Sequence, residues 1–140
     1  MWDAKNIQIK GVLAGLAFGF IASVLLSITV AVSFMALSDA TITNEIEFQK
    51  EFEQSFIVRV IFLVGGLVTA FLVGLVSEWI AKVSTLINAT ISGAVLFLFN
   101  SSMVYLMPDA APLWSQIIII LGVLPLSIFG GYIYGRTNKT

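Results

Sequence analysis

Four long stretches without a charged residue divide this chain: Gly11 to Ser38, Val60 to Ser77, Val83 to Pro108 and Ala110 to Gly135. They run for 28, 18, 26 and 26 residues. A helix needs roughly 18–20 apolar residues to cross the ~30 Å hydrocarbon core of a bilayer. Each stretch meets that length. The expected fold class is therefore all-α, a bundle of four transmembrane helices forming one membrane domain over residues 1–140. The spans fall at about 11–37, 57–80, 84–107 and 112–135, by the length rule.

Composition excludes the other classes. Apolar residues make up 59% of the chain, against 7 basic and 8 acidic residues. A water-soluble domain of this size cannot bury so much apolar surface behind so few charges. A net charge of -1 gives no footprint for nucleic acid. The chain has neither cysteine nor histidine. It therefore offers no thiol or imidazole for a soft metal site, a haem or a Cys–His or Ser–His nucleophile. No cofactor, metal or catalytic residue is expected.

The first stretch follows Lys5 and Lys10, and Ser38-Asp39-Ala40 loosely matches a small-x-small cleavage site. A signal-peptide core runs roughly 7–15 residues, so a stretch of 28 reads as a retained anchor. It exceeds the hydrocarbon thickness and must tilt or project. Basic residues set the orientation. Lys5, Lys10, Lys82, Arg136 and Lys139 fall on one side, Lys50 and Arg59 on the other. The positive-inside rule places both termini and the turn between spans 2 and 3 in the cytoplasm. Trp2, Trp79, Tyr132 and Tyr134 would mark the inner interface, Tyr105 and Trp114 the outer one. The expected location is the cell membrane, crossed several times.

The one sizeable loop lies between spans 1 and 2. It carries Asn44-Glu-Ile-Glu47, which fits a helix N-cap, and then Ile46, Phe48, Phe52 and Phe56 at mostly helical spacing. Glu45, Glu47, Glu51 and Glu53 occupy other faces. The spacing predicts a short extracytoplasmic amphipathic helix over about 44–56, lying on the outer leaflet or continuing into span 2. The four carboxylates lack the glycine turn of a cation loop.

The most specific pattern is a row of small residues in span 1: Gly11, Gly15, Gly19, Ser23, Ser27 and Ala31, each four apart. Small rows let backbones approach closely, which matters in lipid because apolar side chains gain little by leaving it. Span 2 offers a matching row, Gly66, Ala70 and Gly74, followed by Glu78. Spans 3 and 4 offer Gly93 with Ala89, and Ser127, Gly131 and Gly135. This glycine-zipper pattern predicts contact between Gly11–Gly19 and Gly66–Gly74 in the inner half. It also exceeds what one bundle of four obviously needs.

Polar residues within the spans are the remaining candidates. Glu78 and Lys82 stand four apart, in the favourable order for a pair. With Lys10 and Arg136 they would form an inner charge cluster that pins helix ends, or Glu78 would serve as a cation or proton site. Toward the outside, Thr29, Ser33, Arg59, Asn100 and Gln116 could line a polar pocket or bond helix to helix. Arg59 has Glu53 and Asp109 within reach. The sequons at Asn88 and Asn100 lie inside spans and are set aside. Pro125, near the centre of span 4, removes one helical hydrogen bond and should kink the helix.

The glycine rows, the Glu78–Lys82 turn and the ending Gly130-Gly131-Tyr132-Ile133-Tyr134-Gly135-Arg136 resemble small uncharacterised four-helix integral membrane proteins of prokaryotes. That resemblance implies a fold and no activity. The leading expectation is a non-catalytic membrane subunit or scaffold, packed against other membrane subunits or against itself within the lipid bilayer. The alternative is a small oligomeric channel or transporter using the outward-facing polar pocket.

Overall fold

A computed structural model describes residues 7–37, 45–82, 86–107 and 111–137. The expected roles of Trp2, Lys5, Ser38, Asn44, Asp109 and Lys139 fall outside the described residues. The described chain is all helix: α1 Ile9–Leu37, α2 Glu45–Gln54, α3 Phe56–Ala81, α4 Ile87–Leu106 and α5 Leu113–Thr137. Four of them, α1, α3, α4 and α5, are long and apolar enough to cross a membrane. In lipid a spanning segment must satisfy its own backbone polar groups, and a continuous helix does so. These helices mark a multi-pass membrane protein.

Burial is inverted relative to a water-soluble fold. Phe20, Leu25, Leu121 and Tyr105 lie on the outside, with Tyr105 86% exposed. Ser77, Glu78, Asn88, Ser92 and Ser127 lie inside, each 0% exposed. Apolar side chains face lipid at little cost, whereas buried polar groups find one another.

α3 is the central helix and packs against α1, α4 and α5. Its approach to α1 runs through Gly11, Gly15 and Gly19, all buried. A Cβ on Gly11 would strike the Ser77 carbonyl and come 2.8 Å from the Ala81 Cβ. One on Gly15 would strike the Ser77 hydroxyl and lie 2.8 Å from the Val73 carbonyl oxygen. One on Gly19 would lie 2.6 Å from a Val73 methyl. The α3 row that meets α1 is thus Val73, Ser77 and Ala81, not Gly66, Ala70 and Gly74. The reason is geometric: a glycine receives the neighbour's bulk, so glycine need not face glycine.

Gly74 turns instead to α5, where a Cβ would strike the Ser127 carbonyl. In return, a Cβ on Gly130 of α5 would strike the Phe71 carbonyl of α3. α4 joins α5 through Gly93, whose Cβ would sit 2.9 Å from that of Ser127. Gly131 sits beside α4 and α3 together, 2.5 Å from the Ala89 Cβ and 3.0 Å from the Glu78 Cγ by the same measure. Gly135 and Ala70 are buried. Gly66 meets nothing: a Cβ there would have no neighbour within 4 Å.

α2 is a separate helix rather than the start of α3. Ser55 interrupts the two, and its hydroxyl caps α3 by accepting from the Val58 N–H at 3.4 Å. Rings hold α2 in place. Phe34 of α1 lies edge-on to Phe48 and Phe52 at centroid distances of 5.6 and 5.3 Å, and Phe52 reaches Phe62 of α3 at 6.1 Å. Ile46 and Phe56, expected on the same apolar face, are exposed. At the other end α3 closes at Lys82 and α4 opens after Leu86, both left-handed, with φ of 54° and 60°. The first turn of α4 lies beside the last turns of α3, where Glu78 meets the Ala89 N–H. α5 runs through Pro125, which faces outward.

Two outcomes test this packing. Leucine at Gly15 or Gly74 must displace backbone, and either variant should lose about 1–3 kcal/mol or more of stability, read as a lowered melting temperature in detergent. Phe52→Ala removes three ring contacts, each worth about 0.5–1.5 kcal/mol. It should raise hydrogen exchange across residues 45–54 and leave the α1–α3 contact protected.

Candidate functional site

The densest polar group in the described residues lies near the α3–α4 turn, where four helices converge. α3 contributes Ser77 and Glu78, α4 contributes Asn88, Ala89 and Ser92, and α5 contributes Ser127 and Gly131. α1 closes the group with Gly11 and Gly15. The Ser77 and Ser92 hydroxyls share a hydrogen bond of 2.7 Å between α3 and α4. The Ser127 hydroxyl donates to the Ala89 carbonyl at 2.8 Å, joining α5 to α4. The backbone N–H of Gln8, just ahead of α1, donates to the Asn88 side-chain oxygen at 2.8 Å. Small residues create this arrangement, because only glycine at positions 15 and 131 leaves room for Ser77 and Glu78 beside a neighbouring backbone.

Glu78 is the centre of the group. One carboxyl oxygen, Oε1, accepts from the Ala89 backbone N–H at 3.1 Å. The Asn88 backbone and side chain also face the carboxyl group. Ala89 lies in the first turn of α4, whose flanking residue Leu86 provides no side-chain cap. The first N–H groups of a helix lack partners within it and carry partial positive charge. Glu78 thus caps α4 from a different helix. The second oxygen, Oε2, is buried and has no hydrogen-bond partner.

This differs from the charge cluster expected from sequence. Lys10, Lys82 and Arg136 are exposed, and Glu78 is fully buried. Lys82 contacts Glu78 only along the backbone, its N–H donating to the Glu78 carbonyl at 2.9 Å. The left-handed turn at Lys82 ends the helix there, so the four-residue spacing does not bring the side chains together.

The polar residues expected to line an outer pocket are not gathered into one cavity. Thr29 and Ser33 are exposed, and the Thr29 hydroxyl donates back to the Leu25 carbonyl at 2.8 Å. The Arg59 Nε donates to the backbone carbonyl of Glu53 at 2.8 Å and lines a cavity of about 250 Å³ with Phe62 and Ser115. Gln116 is buried, and its amide donates to the Ala111 carbonyl at 2.7 Å. Asn100 donates to the Leu96 carbonyl at 2.8 Å and borders a different cavity. That cavity, of about 620 Å³, opens between α1 and α4. Its lining includes Gly19, Ser23, Ser27, Gly66, Thr69 and Asn100.

Sequence reasoning weighed Asn88 only as a sequon, passed over Ser92 and treated Gly130 as part of a closing motif. A usable signal existed. Asn88 and Ser92 stand four apart beside Ala89 and Gly93, giving α4 a small, polar face toward the acid of α3.

No family model matches this chain, and neither a curated protein nor a solved structure matches it.

The cap makes a prediction. Glu78→Leu strips α4 of its only side-chain partner at the Ala89 N–H and should lose at least about 1 kcal/mol. Hydrogen exchange at residues 87–90 should rise most.

Proposed function

We propose that the chain is a non-catalytic integral membrane subunit whose cleft between α1 and α4 seats a transmembrane helix of a partner membrane protein. The observation that carries this reading is the divided use of the small-residue row. Gly11, Gly15 and Gly19 are consumed by packing against α3, whereas Ser23 and Ser27 line the cleft and are exposed. Gly66 faces the same cleft with no neighbour where its side chain would be. Small surfaces of this kind allow close helix approach in lipid, where shape and hydrogen bonding replace the hydrophobic drive. Ser27 donates to its own helix, at the Ser23 carbonyl, so the surface offered is nearly apolar and already satisfied.

In this reading both termini and the α3–α4 turn face the cytoplasm, because Lys10, Lys82 and Arg136 gather at that end. The helix α2 then lies at the outer interface. A channel or transporter built on the outer polar residues draws less support, since Arg59 and Asn100 border separate cavities.

The experiment is native mass spectrometry of the tagged protein purified in mild detergent from its own membrane. A stoichiometric foreign membrane protein is expected with the wild type and absent with Gly66→Leu, while the variant melts at the wild-type temperature. A wild-type chain carrying only lipid, or only copies of itself, would overturn the proposal.

A further inference from the structure

We infer that Glu78 is an exchangeable proton-binding site, with the proton carried on Oε2. The inference rests on the geometry around the carboxyl group and on nothing in the α1–α4 cleft. Glu78 is fully buried, yet only one of its oxygens is engaged. Oε1 accepts from the Ala89 N–H, a bond that a carboxylate and a neutral acid can both make. Oε2 is therefore the oxygen whose chemistry differs between the two states. Ionised, it holds charge without a partner; protonated, it holds an O–H without an acceptor. A change of protonation at Oε2 therefore breaks no hydrogen bond.

Asn88 faces the carboxyl group with both its backbone and its side chain, yet Oε2 keeps no hydrogen-bond partner. The Ser77 hydroxyl is bonded to that of Ser92, and the Ser127 hydroxyl donates to the Ala89 carbonyl. The packed helices carry these other charged and titratable groups at this end. α1 has Lys10 at this end, exposed; α3 itself ends at Lys82, exposed. α5 has Tyr132 and Arg136, both exposed, and Tyr134, half-buried. α4 has no titratable side chain before Tyr105, at its opposite end. Oε2 has no hydrogen-bond partner.

The ligand is a proton rather than a larger cation because the packing is close. A single added carbon at Gly131 would already lie 3.0 Å from the Glu78 Cγ. A route to water is short. Asn88 faces the Glu78 carboxyl group, and its side-chain oxygen accepts from the N–H of Gln8, which is exposed. Exchange would run along this contact, with water at Gln8 donating the proton and taking it back. Proton occupancy would then set how strongly α3 holds the first turn of α4, because the ionised carboxyl group is the better partner for a helix N-terminus.

The test is infrared difference spectroscopy across pH on the full chain in nanodiscs, over the range where circular dichroism shows unchanged helix content. A carboxylic-acid C=O band should appear and vanish reversibly with pH, corresponding to one proton per chain, and should be missing from Glu78→Gln. A second variant guards against misfolding of the first. It converts the other seven of the 8 acidic residues to their amides, leaves the bundle interior intact and should keep the titrating band. A band that persists at every pH, or that never forms, would mean a fixed structural cap and would overturn the inference.

Discussion

Backbone-to-backbone approach at α3 is the contact on which the rest of the structure depends. In a bilayer, two apolar helices gain little by leaving lipid for each other, so association needs dispersion contact at short range and hydrogen bonds. Glycine supplies both conditions. It removes the side chain that would separate the axes, and it brings carbonyl groups of one helix against the next. Gly11 and Gly15 do this for α1 and α3, and Gly74 and Gly130 do it reciprocally for α3 and α5. Once these helices are close, the polar side chains between them find partners on the neighbouring helices, in side chains and in backbone groups. The serine pair, the Ser127 bond to α4 and the Glu78 cap follow from that proximity.

The two ends of the bundle are built differently. Near the α3–α4 turn, glycine contacts and interior hydrogen bonds lock four helices together. Near α2, packing relies on large rings, with Phe34, Phe48, Phe52 and Phe62 in sequence from one helix to the next. Between these ends the interior opens into the cleft beside Ser23 and Gly66. The turn end is the ordered frame, and the middle is where a further helix has room.

How much of this could be read from sequence depends on what kind of signal each feature leaves. The four long helices are legible because uncharged runs of sufficient length have few other solutions. Residues rich in glycine were identifiable as packing positions, but their partners were not. A four-residue row drifts around the helix, and one step of about 100° decides whether Gly74 faces α1 or α5. The charge pattern misled for a local reason. Glu78 and Lys82 have pairing spacing, yet Lys82 is itself the left-handed residue that ends the helix. The outer pocket misled for another: Thr29 and Asn100 satisfy their own hydroxyl or amide groups on carbonyls of their own helix. Intramembrane polar residues need not seek each other when a carbonyl four positions back is available.

The Glu78–Ala89 bond also bears on how the chain enters the membrane during synthesis. The acid and its partner are separated by 11 residues, so α3 emerges from the ribosome before the group that neutralises its end exists. A lone acidic side chain at depth makes a helix a poorer substrate for release into lipid, by about 2.5–3.5 kcal/mol at the centre and less near an edge. α3 is therefore best released together with α4, as a helical hairpin whose closing bond forms before either segment is surrounded by acyl chains. The α3–α4 pair thus brings the acid and its Ala89 donor together, and Gln8 ahead of α1 and Ser127 of α5 complete the polar group.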